Sequence, residues 1–109
     1  MANAYKILGQ SAPSATTDTD VYTVPAATES VISTIIIANR AATAGTFRIA
    51  LRPDGGAIAN SHYIAYDVPI AANDSTTLTL GITLNAADVV TVQCSSADTT
   101  VSIFGTEIS

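Results

Sequence analysis

Apolar and polar residues alternate along most of the chain, and the alternation restarts after each short turn. A period of two marks strands that turn one face to a core. Residues 46–52 carry it cleanly, with Phe47, Ile49 and Leu51 on one side and Arg48, Ala50 and Arg52 on the other. The same pattern predicts strands over residues 4–8, 21–24, 30–39, 60–68, 77–80, 89–95 and 100–108. Past Gly81, Ile82 and Leu84 keep the spacing of Leu78 and Leu80. The β-branched and aromatic residues that fill these runs pack well on a pleated surface and lose rotamer freedom in a helix.

The punctuation between the runs is turn chemistry. Pro25 closes the second run, because proline cannot donate to a ladder. Pro53-Asp54-Gly55-Gly56 combines a preset φ with glycines that accept positive φ. Asn73-Asp74-Ser75, residues 85–88 and residues 97–99 read as turns, residues 39–45 as a turn of small residues, and residues 10–19 as a loop. No stretch of ten residues carries a helical period, and short turns leave no room for the crossovers that parallel strands need. The expectation is an all-β fold: an antiparallel, jelly-roll-like β-sandwich of about eight strands, one domain over residues 1–109. Phe47, Ile49, Leu51, Leu78, Leu80, Val90 and Val92 are expected to share its core.

The run at 30–39 is apolar on both sides. Strict alternation groups Val31, Ile35 and Ile37 with Ser33, and Ile32, Ile36 and Ala38 with Thr34. One group belongs to the core. The other needs a cover, either the 10–19 loop or a second molecule, since two exposed isoleucines forfeit about 1.5–3 kcal/mol each.

Composition sharpens this picture. Only 12% of the 109 residues are charged, while 48% are hydrophobic and the mean hydropathy is +0.38. Soluble domains usually carry about twice that share of charge, and charge-poor surfaces are typical of interface cores. A protein that works packed against others is therefore expected. The longest apolar run, residues 35–38, is far short of the ~20 residues of a spanning helix, and the N-terminus lacks the basic and apolar segments of a secretory signal. A net charge of −5, with only Lys6, Arg40, Arg48 and Arg52 as basic residues, argues against nucleic-acid binding.

Candidate chemistry is sparse. Cys94 is the single cysteine and follows Val90 and Val92 onto the apolar face, so a buried thiol is expected. His62 has no visible nucleophile or carboxylate partner, and two His or Cys residues do not make a zinc site. Asp18 and Asp20 could contribute to a Ca²⁺ shell, though the six to eight oxygens Ca²⁺ takes are not evident, and a solvated loop is the simpler reading. Asp54-Gly55-Gly56 lacks the lysine and helix of a phosphate cradle. Tyr5, Tyr22, Tyr63 and Tyr66 are the large amphipathic side chains and suit either the core rim or recognition of protein or carbohydrate. The candidate interface comprises Ile32, Thr34, Ile36, Arg48, Arg52, Tyr63 and Tyr66.

Several segments together resemble small virion proteins of tailed bacteriophages, including those infecting cyanobacteria. They are Tyr5-Lys6-Ile7-Leu8-Gly9-Gln10, Val21-Tyr22-Thr23-Val24-Pro25, residues 31–40, Thr46-Phe47-Arg48-Ile49-Ala50, His62-Tyr63-Ile64-Ala65-Tyr66-Asp67, residues 79–84, Asp88-Val89-Val90-Thr91-Val92 and Phe104-Gly105-Thr106-Glu107-Ile108. The resemblance is one of strand and turn residues. It implies a β-sandwich on the particle, as a capsid decoration (cement) protein or in the tail, and it brings no catalytic residues.

The combined expectation is a non-enzymatic structural protein of the virion, assembled in the host cytoplasm, with no cofactor, no metal and no membrane or nucleic-acid contact. It would act as a homo-oligomer, with a trimer among the options, and bind the major capsid protein or another virion protein across capsomer junctions. The alternative is a tail-fibre or baseplate module that binds another tail protein or a host-surface glycan. A lectin-like domain outside any virus is a third, weaker reading.

Overall fold

The structure, a computed structural model, describes residues 3–109. Eight strands run β1 Asn3–Ser11, β2 Thr19–Thr23, β3 Glu29–Asn39, β4 Gly45–Arg52, β5 Tyr63–Ile70, β6 Ser75–Leu84, β7 Val89–Cys94 and β8 Thr99–Ile108. Short 3-10 turns at Pro53–Gly55 and Asn60–His62 join β4 to β5. Sheet A has the order β1-β8-β3-β6 and sheet B the order β2-β7-β4-β5, every pairing being antiparallel. Strand 1 thus pairs with 8, 2 with 7, 3 with 6 and 4 with 5, with alternate pairs going to opposite sheets. A long hairpin wrapped in this way is a jelly roll.

The core lies between the sheets. Ile32, Ile35, Ile37, Val101 and Ile103 come from sheet A, and Tyr22, Phe47, Ile49, Val90, Val92 and Cys94 from sheet B, all buried. Of the seven expected core residues, Phe47, Ile49, Val90 and Val92 are fully enclosed. Leu51, Leu78 and Leu80 pack against the core but stay partly open.

Strict alternation fails in β3, and the failure is informative. Both ladders of β3 slip between Ile32 and Thr34. Across from β8, Ile32 sits opposite Gly105 and Thr34 opposite Phe104, so Ser33 is an extra residue. A bulge of this kind moves every later side chain to the other face. Ile32 therefore joins Ile35 and Ile37 inside, while Val31, Thr34, Ile36 and Ala38 point outward. This corrects the expected grouping: Ile32 and Val31 exchange places. The partner strand accommodates the bulge with a glycine, since a Cβ on Gly105 would collide with the backbone oxygen of Val31.

A second slip occurs in β5, where Asp67 takes a positive φ of 51°. The β4–β5 register shifts on both sides of Ile49. Ala65, Val68 and Ile70 turn inward, while Ile64 and Tyr66 are exposed. Strict alternation would set Ile64, Tyr66 and Val68 on one face; the slip separates Val68 from the other two. The 12–18 loop does not cover sheet A either. It runs to sheet B, where the Thr16 N–H donates to the Cys94 carbonyl at 2.7 Å.

One end of the sandwich is closed by a polar clasp. Tyr22 of β2 reaches across to sheet A, where its hydroxyl lies 2.6 Å from Ser30 Oγ and donates to Glu107 Oε2 at 2.6 Å. Lys6 Nζ holds the other carboxylate oxygen at 2.6 Å. The clasp links β1, β2, β3 and β8. Burial, together with the nearby Glu107 carboxylate, pushes the Tyr22 phenol up to about 12. The hydrogen bonds from Lys6 and Tyr22 hold the Glu107 carboxyl below its usual range.

Two predictions follow from these packing relations. Ile32→Ala should cost about 2–5 kcal/mol in urea unfolding, whereas Val31→Ala should cost about 1 kcal/mol or less; strict alternation demands the reverse order. The clasp predicts an alkaline limb. A phenol whose value is raised on folding contributes stability that is complete below its unfolded value of about 10 and is lost as pH rises through the folded value of about 12. The urea midpoint of the wild type should fall across that window, and Tyr22→Phe should flatten the fall. At neutral pH the same variant should be destabilised by about 1–3 kcal/mol, because the buried Ser30 hydroxyl loses its partner.

Candidate functional site

The candidate interface residues do not form one site. Ile32 is fully buried between the sheets and cannot meet a partner. Thr34 and Ile36 lie on the outer face of sheet A. Arg48, Arg52, Tyr63 and Tyr66 belong to β4 and β5 of sheet B.

The ladders build the outer face of sheet A in rows. Tyr5, Thr106, Val31 and Thr83 lie side by side, followed by Ile7, Phe104, Thr34 and Thr79, and then by Gln10, Ser102, Ile36 and Thr77. Tyr5 is 80% exposed and Ile7 is 51% exposed. Glu29, at the end of β3, is the only charged side chain among the described outward positions of this face. Val31, Ile36 and Phe104 are half-buried, and a contiguous, partly exposed apolar surface with a hydroxyl border marks an interaction site more often than a solvated face. Alternation over residues 4–8 already sets Tyr5 and Ile7 on one side; Phe104 and Val31 are additions that the structure makes. Phe104 was legible, because it alternates out of phase with Val101 and Ile103 in the same strand. Val31 was not, because its direction depends on the Ser33 bulge.

The outer face of sheet B is charged and internally satisfied. Arg48 grips Asp67 with two bonds, Nε to Oδ1 at 2.6 Å and Nη2 to Oδ2 at 3.3 Å. Its guanidinium lies 4.1 Å above the Tyr66 ring, and Tyr66 meets Tyr63 edge to face with centroids 4.9 Å apart. The pairing lowers the Asp67 carboxyl and raises the Arg48 guanidinium. Beside it, a shallow depression of about 300 Å³ is lined by Thr16, Thr46, Arg48, Asp67, Gln93 and Ser95. Arg52 is engaged internally: it donates to Thr91 Oγ1, to the carbonyls of Gly55 and Gly56, and to Asp20 Oδ1. It pins the loop after β4 rather than offering a free charge.

The remaining candidates have structural roles. Asp20 Oδ1 accepts from both Arg52 and Thr91, and Asp18 accepts from Gln93 Nε2 at 3.0 Å. No group of three or more metal-ligating side chains exists among the described residues. His62 Nδ1 accepts from the Ala59 N–H at 3.1 Å and closes the turn before β5. Cys94 is fully buried, and burial pushes its thiol up to about 11, which keeps it protonated and unreactive at neutral pH.

Compared with known protein families, curated proteins and solved structures, the chain matches none of them.

Arg52 and Thr91 both engage Asp20 Oδ1, so a cation would have to compete with the guanidinium already there. Neither excess Ca²⁺ nor chelator should shift the thermal midpoint, as differential scanning calorimetry would measure. A Ca²⁺-dependent rise that disappears in Asp20→Ala would overturn this assignment.

Proposed function

We propose that the protein is a non-enzymatic component of a tailed-phage particle. In this reading it is a decoration protein that lies on the head across capsomer junctions and uses the outer face of sheet A as its contact surface. One observation carries the proposal: that face presents Tyr5, Ile7, Val31, Ile36 and Phe104 with a hydroxyl border and a single carboxylate at its rim. A surface of this kind gains from burial and gives up little ion hydration. Repetition over a shell turns modest contacts into avidity. The resemblance of the strand and turn segments to phage virion proteins supports the virion as the setting. The jelly roll, used by capsid proteins and lectins alike, fits it by fold analogy alone.

A second reading rests on sheet B. Tyr63 and Tyr66, with Arg48, Asp67 and Gln93 close by, combine an aromatic surface with planar hydrogen-bonding groups, the means by which a protein holds a sugar. This is the tail-fibre or baseplate alternative, with a host-surface glycan as ligand.

Cosedimentation with purified particles tests the first reading. The wild type should bind. Ile36→Lys and Ile7→Lys should lose binding while their circular dichroism and thermal midpoint stay close to wild type, and Tyr66→Ala should bind normally. If the wild type fails to bind particles, or if Tyr66→Ala alone abolishes binding, sheet A is not the contact surface.

A further inference from the structure

Each sheet has two edge strands, and exposed edges invite pairing unless they are guarded. β5 carries Pro69 and the positive-φ bulge at Asp67. β2 is only five residues long and its register slips between Asp20 and Tyr22. β1 slips between Ile7 and Gly9, and Gly9 runs so close to Val21 that a Cβ there would meet the Val21 carbonyl oxygen, so β1 and β2 shield one another. β6 is different. It spans ten residues, Ser75–Leu84, without a proline or a charge, and its one slip, Leu80 and Gly81 opposite Ser33, leaves the alternation of Leu78, Leu80 and Ile82 unbroken. Among the described residues, its backbone makes one hydrogen bond beyond the ladder to β3, from the Ser75 N–H at its first residue to Asp74 Oδ1. Leu78, Leu80 and Ile82 stay half-exposed at this flank.

We propose that β6 is a dimerisation edge: a second copy of this chain pairs with it antiparallel about Leu80, joining two copies of sheet A into one continuous sheet. The occupant follows from the strand itself. Thr77-Leu78-Thr79-Leu80-Gly81-Ile82-Thr83 reads nearly the same in both directions. An antiparallel pair centred on Leu80 sets Leu80 against Leu80 and Leu78 against Ile82 on the inner face. On the outer face it sets Thr77 against Thr83 and Thr79 against Gly81. Every large apolar side chain meets another, the Thr77 and Thr83 hydroxyls meet across the pair, and no like charges oppose, which is the pattern that favours cross-strand pairing. A two-fold axis through Leu80 is the isologous geometry that closes a dimer instead of growing a fibre. The slip opposite Ser33 falls beside this axis, so both strands bend together. The edge borders the face assigned to the particle, whose rows end in Thr77, Thr79 and Thr83, but pairing through it uses the free backbone of β6, so the inference stands whether or not that face binds a shell.

The register gives a test at exposed positions. Sedimentation velocity on the full chain should show a monomer–dimer equilibrium for the wild type. Thr77→Lys combined with Thr83→Lys places lysine opposite lysine twice and should weaken association by about tenfold or more. Thr77→Lys combined with Thr83→Glu places lysine opposite glutamate twice and should keep the dimer, with a salt dependence the wild type lacks. Circular dichroism should report the same fold for all three proteins. A wild type that stays monomeric, a trimer, a dimer indifferent to both double variants, or one lost equally in both, overturns the proposal.

Discussion

The single extra residue at Ser33 determines the character of this molecule. Before it, β3 sends Ser30 and Ile32 inward; after it, the inward set is Ile35, Ile37 and Asn39. Without the slip, Val31 would enter the core and Ile32 would point to solvent, leaving a smaller side chain inside and a larger one outside. The neighbouring strand must yield to the bulge, and only a residue without a Cβ can do so, which is why Gly105 stands where the backbone of Val31 presses closest. Core composition and the outer face of sheet A therefore follow from one backbone event.

Around that event the two sheets are joined by unlike means. Apolar burial fills the middle of the sandwich, where Phe47 and the isoleucines from both sheets meet. At one end the junction is polar: Tyr22, Ser30, Glu107 and Lys6 form a satisfied chain from sheet B to the edge of sheet A. Arg52 does comparable work within sheet B, tying β2, β7 and the 53–56 segment through four donated bonds. No buried side-chain polar atom is left without a partner among the described residues, as expected of polar groups placed where water is excluded.

The few charges are unevenly spent. Three ion pairs take up Lys6, Arg48 and Arg52, and the two arginines lie on sheet B. Sheet A is left with an outer face of aromatic, aliphatic and hydroxyl groups and with an unguarded edge at β6. A face with one carboxylate at its rim and a long edge without proline or charge are both costly for a solitary molecule and both useful to one that assembles. The low charge content is therefore not spread evenly over the surface; it is the signature of one sheet.

Strand positions, turns, the absence of helices and the sandwich class were determined by the chain's own pattern, because a period of two and the φ preferences of proline and glycine act within a few residues. The core status of Phe47, Ile49, Val90, Val92 and Cys94 was legible for the same reason, since each lies in an unbroken run of alternation. Tertiary structure decided the rest. Bulges at Ser33 and Asp67 invert the facing of Ile32 and Val68, and neither is written locally: Ser33 slips because two neighbouring ladders must both be satisfied, one of them against Gly105 more than 70 positions along the chain. Arg52 and Asp20 looked like free chemistry until folding brought them together with Thr91. Alternation is a local property, whereas register is set by partners that only the closed fold assembles.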